Sequence, residues 1–310
     1  MDTRQTKGRA SAPVLVAGAA GYLGRAIVRS LAAEGYPVRG LVRKPAGAEV
    51  VLASGGKPVL GDVLDPDSVR RAMEGCSAAI HVAASYPDSP AEAERARRIR
   101  VDGTRNLATA ARAVGARRLV VGSGYWVYAD QTGALSEEST LDPRGESRTN
   151  REAELAGLEF ASPGSLDVMV VRPGMVYGNG SWFRGMVDAI RAGSYRVPGE
   201  GKNHWSLVEL DDTAAAFRAV LERGVCGEKY LVVDDHPIPL QALLELVAGE
   251  LGVPVPANAG EEALRRDVGN DVAHHLMANR AGSNRRLRSL GWVPRFPDCR
   301  TGLPLVLKSM

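Results

Sequence analysis

The chain is poor in the features that mark several protein classes. Its three cysteines, Cys76, Cys226 and Cys299, are far apart in a chain of 310 residues. No spacing among them suggests a metal site or a disulfide framework, and a reducing cytoplasm fits. No apolar run is long enough to span a membrane. Residues 1–12 lack the apolar segment of a signal peptide and read as a flexible tail. An excess of one charge is missing too: 39 basic residues against 36 acidic leave +3, which does not suggest a nucleic-acid binder. There is no internal repeat. What is present is ordinary globular material, 45% hydrophobic and 24% charged, with length for a sizeable core and one or two domains.

Strand and helix patterns alternate. "PVLVAG" (13–18), "PVRGLVR", "AAIHVAA", "RRLVVGS" and "LDVMVVRPG" are apolar runs of strand length. Between them lie helical stretches: "GYLGRAIVRSLAAEG", "DPDSVRRAMEG", about 91–114 and 148–161. "HWSLVEL", "DDTAAAFRAVLERG" and "KYLVVDD" read as one more strand–helix–strand piece. Such alternation predicts an α/β fold, a Rossmann-type doubly wound parallel sheet with a smaller C-terminal substrate lobe. The expected division is 13–180 as the dinucleotide-binding domain, with 205–235 returning to it, and 181–204 with 236–310 as a lobe closing over the crevice. Ligands of such sheets bind at the carboxyl ends of the strands, where strand order reverses.

"GAAGYLG" places Gly18, Gly21 and Gly24 between the first strand and first helix. Gly18 permits a tight turn, Gly21 lets a pyrophosphate approach the backbone, and Gly24 lets helix and strand pack closely. The helix amino end, through Tyr22 and Leu23, offers N–H groups to phosphate. The second strand ends in "LVRK", so Arg43 and Lys44 stand where binders of NAD often place an acid for the ribose. A guanidinium pairs well with the extra phosphate of NADP, which predicts NADP(H) rather than NAD.

With "GDVLDPDSV", "HVAA", "VDGTRNLATAA", "RLVVGSGYWVY", "VVRPGMVYG", "VELDDTAAA" and "LRSLGWVP" in this order, nearly the whole chain resembles the extended short-chain dehydrogenase/reductase family, also called the NAD-dependent epimerase/dehydratase family. The resemblance implies that Asp62 and Val63 contact the adenine. It places Ala83 and Ala84 beside the nicotinamide ribose, and Pro173 through Val176 over the nicotinamide. It also implies a homodimer through the stretches near 91–114 and 150–161.

The family keeps a Tyr and, four residues on, a Lys on one helix, with a Ser after the preceding strand. The phenol passes a proton to or from the substrate oxygen; the lysine lowers the phenol pKa and holds the ribose. Here "ESRTN" supplies Glu146 for the Tyr and Asn150 for the Lys. Gly124 stands where the Ser is most common, with Ser123 just before it. No shift of register restores the pair, since no Tyr occurs between Tyr128 and Tyr177 and no Lys between Lys57 and Lys202. Three readings stay open. Glu146 takes over as acid, if burial raises its pKa, or as the anionic partner of a cationic substrate such as an iminium. Alternatively the fold runs a non-redox cyclisation, isomerisation or elimination, or it is a non-catalytic NADP-sensing binding protein.

Among the other polar residues, Tyr125 is the candidate for the missing phenol, Ser123 for a hydrogen bond to substrate, and Tyr128 is structural. Tyr86, Trp182 and His204 are candidate substrate contacts, as is Phe183 beside Trp182. His81 reads as a core histidine. His274 and His275 are adjacent on a helix and cannot share a face as metal ligands do, and no metal site is expected. Arg95, Arg97, Arg98 and Arg100 read as a solvated helix face.

Overall fold

The computed structural model describes residues 12–85 and 89–310. Most of the expected tail and Tyr86 therefore lie outside the described residues. The first six strands are β1 (Val14–Ala17), β2 (Val38–Val42), β3 (Lys57–Leu60), β4 (Ala78–His81), β5 (Arg118–Gly122) and β6 (Asp167–Pro173). With the strand Lys229–Val232 they form one seven-stranded sheet, in the order Lys229–Val232, β6, β5, β4, β1, β2, β3. The pairs from β3 to β6 are all parallel. From β1 the chain steps outward to β2 and β3, then returns to β4 on the other side, so strand order reverses between β1 and β4.

The helices follow from local signals. α1 (Tyr22–Ala33) buries Ile27, Val28 and Leu31. α2 (Pro45–Ala53) and β3 are absent from the sequence reading; α2 lacks a clean apolar face, and the β3 side chains are exposed or half-buried. In α3 (Pro66–Met73) the Asp65 side chain caps the amino end by accepting from the Asp67 N–H at 3.1 Å, and Pro66 takes the first helical position. α4 (Pro90–Ala113) is capped likewise by Ser89. α5 (Glu146–Leu158) begins two residues ahead of the expected start.

Two glycines set how near α4 and α5 lie to the sheet. A Cβ on Gly103 of α4 would stand 3.1 Å from Val63 and 3.3 Å from His81 Nε2. A Cβ on Gly157 of α5 would stand 2.9 Å from Val121 and 3.2 Å from Thr104.

The chain packs as two units. The first holds the chain through Ser123, Thr149–Val171 and Ala214–Tyr230; the second holds Gly124–Arg148, Arg172–Thr213 and Leu231–Met310. "HWSLVEL" contributes two short strands outside the large sheet: His204–Trp205 pairs antiparallel with Ile238–Pro239, and Leu207–Glu209 pairs parallel with Met175–Tyr177. The core of the second unit is built on Tyr177, Phe183, Trp205, Leu243, Leu244 and Val247. Among the described residues, no helix is long and apolar enough to cross a membrane.

A Cβ on Gly24 would lie 1.9 Å from the Gly18 carbonyl oxygen, so neither backbone can give way cheaply. Gly24→Ala is expected to destabilise the fold by about 1–3 kcal/mol through overpacking. By contrast, Gly185, exposed in the helix Ser181–Arg191, has nothing within 4 Å of a built Cβ. Gly185→Ala should stabilise by about 0.4–1 kcal/mol. Urea denaturation of the two variants checks both signs.

Candidate functional site

The first unit builds a main-chain cradle at the reversal of strand order. Gly18, directly after β1, has φ +89°, in the left-handed region that favours glycine. A Cβ there would stand 2.6 Å from the Ala83 nitrogen, so this turn is pressed against the chain leaving β4. Gly18 and Gly24 are thus required by the protein's own backbone. Gly21 is different. Its φ is −74°, and a Cβ would meet only the Gly18 oxygen, at 3.2 Å. Gly21 caps α1, which has no side-chain cap and no acid in its first turn, formed by the half-buried Tyr22 and Leu23 with Gly24. A side-chain-free wall facing the positive end of a helix fits the pyrophosphate of a dinucleotide.

Around the cradle, Arg43 and Lys44 are exposed at the end of β2, and Lys44 precedes α2. Neither side chain has a partner among the described residues. After β3, Asp62 Oδ1 accepts from the Leu64 N–H at 3.0 Å and its Oδ2 lies 3.5 Å from Arg95. Val63 is buried, with its carbonyl held by Asn106 at 2.8 Å. After β4, Ala83 is half-buried and Ala84 exposed. His81 ends β4 fully buried; Nε2 faces the Ile99 carbonyl at 3.1 Å, while Nδ1 has no partner among the described residues. Burial pushes its pKa down to about 4, so the ring is neutral.

On the far side, Ser123 follows β5 and its hydroxyl donates to Glu154 Oε1 at 2.6 Å. Glu154 is fully buried, and its other oxygen accepts from Arg151 at 2.9 Å. The sequence reading missed Glu154. Its signal was available: it lies four residues after Asn150 and eight after Glu146, on one helical stripe. Asn150 Oδ1 accepts from the Arg100 guanidinium. The expectation that the arginine row of α4 is merely solvated is therefore corrected. Arg97 donates to Glu152 at 2.7 Å and Arg100 to Asn150, so two of the four reach across to α5.

In the second unit, Glu146 opens α5 and is exposed. The burial that an acid role requires is absent. Tyr125 starts a single 3-10 turn, Tyr125–Val127, and is 2% exposed. Burial pushes its phenol up to about 12. Its ring lies 5.9 Å from the buried Arg280 guanidinium, which also donates to the Tyr128 and His275 carbonyls. Tyr125 is thus a core side chain, closed off from solvent rather than displayed beyond the strand. Tyr128 is buried with its hydroxyl 2.8 Å from Arg172. His275 stacks on Trp126 at 4.8 Å.

Pro173 is buried and Val176 half-buried; the Val176 carbonyl accepts from Trp182 Nε1 at 2.7 Å. Trp182 meets Phe183 and Trp205 edge-on. The His204 ring is held by Asn279 at 3.1 Å. A cleft of about 650 Å³ in this unit is lined by residues 198–203, 258–261 and Met277, and none of the expected site residues lines it. Among the described residues, no cluster of His, Cys, Asp and Glu could hold a metal ion.

The family model described as "NAD dependent epimerase/dehydratase family" matches residues 14–232. The chain belongs to the NAD-dependent epimerase/dehydratase family. It is accordingly an NAD(P)-dependent enzyme of oxidoreductase type. It is similar to a "3-diazoavenalumate denitrifying reductase" of a Streptomyces species, 33% identical over 306 residues, covering 94% of this chain and 98% of that one. Among solved structures it resembles the human epimerase family protein SDR39U1 with NADPH, at TM-score 0.81 and 21% identity over 96% of this chain and all of that one. It also resembles MoeE5 in complex with UDP-glucose and NAD, at TM-score 0.79 and 23% identity over 96% and 97%. These two show the fold.

Two variants test the cradle. A Cβ at Gly21 would meet only the Gly18 oxygen, at 3.2 Å, a contact relieved by a shift of a few tenths of an ångström, so Gly21→Val should fold by circular dichroism while its affinity for NADP falls more than about tenfold. A folded variant that keeps its affinity would remove the cradle. Arg43→Asp should weaken NADP about tenfold to a hundredfold, the range of one charged hydrogen bond, and change NAD by less than about threefold. Equal losses for the two dinucleotides in a titration would take Arg43 out of the site.

Proposed function

We propose that this protein uses NADP(H) to reduce a small electrophile that needs no proton on oxygen, an iminium or a diazonium rather than a ketone. The observation that carries the reading is α5. It offers Glu146, Asn150 and Glu154 on one stripe with no phenol and no ammonium, and the phenol that the sequence suggested as a replacement, Tyr125, is closed into the core. The nicotinamide, when bound, supplies hydride. Replacing a diazonium group by hydrogen consumes one hydride and releases N₂; an iminium consumes one hydride and becomes an amine. Neither balance includes a proton delivered to oxygen, so a tyrosine has no task. The name of the Streptomyces relative, a denitrifying reductase of a diazo compound, supports this class of acceptor.

In this reading the glycine cradle and α1 hold the pyrophosphate, and Arg43 with Lys44 hold the additional phosphate of NADP. Asp62 and Val63 border the adenine, Ala83 and Ala84 the ribose, and Pro173 to Val176 the nicotinamide. Ser123, fixed by Glu154, aligns the acceptor by a hydrogen bond. Glu146, exposed and anionic, serves as counter-charge to a cationic substrate rather than as an acid. Trp182 and His204 line the substrate side.

The test is NADPH oxidation by the purified protein against a matched set of an aryl diazonium, a cyclic iminium and a ketone, with Gly21→Val as the background control. Turnover of a cationic acceptor at least about a hundredfold faster than the ketone is expected. A ketone reduced as fast would refute the reading, and NADPH bound but oxidised by none of them would favour a non-redox or sensing role. Glu146→Gln should lower turnover of the cationic acceptor by about tenfold to a hundredfold, with NADPH affinity unchanged. An unaltered rate would remove Glu146 from the site.

A further inference from the structure

We propose that Asn150 contacts the cofactor through its amide nitrogen, and that Arg100 is the positioning residue that orients it. Together the two would do from two helices what one lysine on α5 would otherwise do. The inference rests on the reading of this fold as a nicotinamide-dependent reductase.

The orientation of the amide follows from elementary chemistry. A guanidinium has donors and no acceptor, so the Asn150 atom facing Arg100 must be its carbonyl oxygen. The NH₂ group is then turned the other way, and it has no acceptor among the described residues. A half-buried side chain so fixed presents two aligned donors to whatever lies beyond. The acceptor class that suits them is a sugar diol, such as the ribose of a dinucleotide.

Arg100 is itself held firmly. The carbonyl of the preceding residue, Ile99, faces the buried His81 ring at 3.1 Å, and the Arg100 carbonyl accepts from Thr104 Oγ1 at 2.5 Å. One turn on, Gly103 lets α4 close against His81 and Val63. His81 ends β4, and the chain beyond it runs to Ala83, whose nitrogen a Cβ on Gly18 would strike. On the other side, Asn150 is one helical turn from Glu154, which holds Ser123. The pair therefore lies in the first unit between the chain leaving β4, which forms one wall of the cradle, and the serine that follows β5.

The arrangement differs from a lysine in one respect that matters for the proposed substrates. A lysine would place its full charge against the ligand. Here the charge stands one residue behind a neutral, polarised donor. Repulsion of a cationic acceptor falls with that added distance, while the hydrogen bond to the diol is kept.

The test is fluorescence titration of the full chain with NADPH. Arg100→Met and Asn150→Ala should each weaken binding about fivefold to tenfold, the scale of one hydrogen bond. The double variant should bind within about twofold of the weaker single, because both changes remove the same contact. Arg100→Lys, which still donates to the amide oxygen, should bind within about threefold of the native chain, a rescue that a purely structural role would not give. Asn150→Lys alone should weaken binding by setting two cations face to face, and adding Arg100→Met to it should restore affinity. Losses that multiply in the double variant, or native affinity in Asn150→Ala, would overturn the inference while leaving the cofactor reading intact. A native chain that bound neither NADPH nor NADH would overturn that reading and this inference with it. Should Arg100→Met not fold, Asn150→Ala and Arg100→Lys still decide: native affinity in the first, or none recovered in the second, would sink the proposal.

Discussion

Three stretches of backbone meet at Gly18, and the rest of the molecule is arranged around that contact. The turn after β1, the first turn of α1 and the chain leaving β4 approach so closely that a Cβ on Gly24 would lie 1.9 Å from Gly18 and one on Gly18 would lie 2.6 Å from Ala83. Close packing of this kind has two effects. It fixes α1 against the sheet at the point where strand order reverses, and it leaves a wall of peptide groups without side chains beside the positive end of a helix. An anion meets donors there that need no reorganisation. Of the three glycines of this loop, Gly21 is the one whose bareness the fold requires least, since a Cβ there would meet only the Gly18 oxygen, at 3.2 Å.

α5 carries the departures from the family pattern, and its surroundings argue against an eroded site. An abandoned polar site in a protein interior leaves groups unpaired, and an unpaired buried carboxylate is strongly destabilising. The fully buried Glu154 instead has both oxygens occupied, one by the Ser123 hydroxyl and one by Arg151. Asn150 is likewise engaged by Arg100. Gly103 and Gly157 set the closeness of α4 and α5 to the sheet and to each other. On a frame fixed in that way, side chains along the stripe can change charge and length without moving the strands that hold the cradle.

Much of the fold was legible because its signals are local. Five apolar runs became β1, β2, β4, β5 and β6, and Gly18 and Gly24 play the steric roles their spacing suggests. β3 was hidden because its strand, Lys57–Leu60, is not buried, and α2 because its small apolar residues show no helical face. The side chains of the candidate site were harder to read, for a physical reason. Whether Tyr125 faces a ligand or a core depends on one 3-10 turn, and whether Glu146 is buried or exposed is not revealed by its place as a helix's first residue. Arg100 read as one of four solvated arginines because a charge row on a helix looks the same whether or not a second helix crosses it. Glu154 could have been found by carrying the spacing of Glu146 and Asn150 one turn further.

The electrostatics of the two phenol-free, lysine-free positions fit one class of chemistry better than the other. Reduction of a carbonyl builds negative charge on oxygen, and the usual response is a proton donor backed by a cation. Glu146 would oppose that charge. His81 is held neutral by burial, with a pKa of about 4, and lends no cation of its own. An acceptor that begins positive and ends neutral reverses the requirement. An anion at Glu146 then favours binding, a neutral amide at Asn150 avoids repulsion, and a guanidinium set back on α4 can still polarise that amide. On the proposed reading, what decides between a phenol with an ammonium and an acid with an amide on α5 is the sign of the charge at the reacting centre, which goes from positive to neutral in one class of acceptor and from neutral to negative in the other.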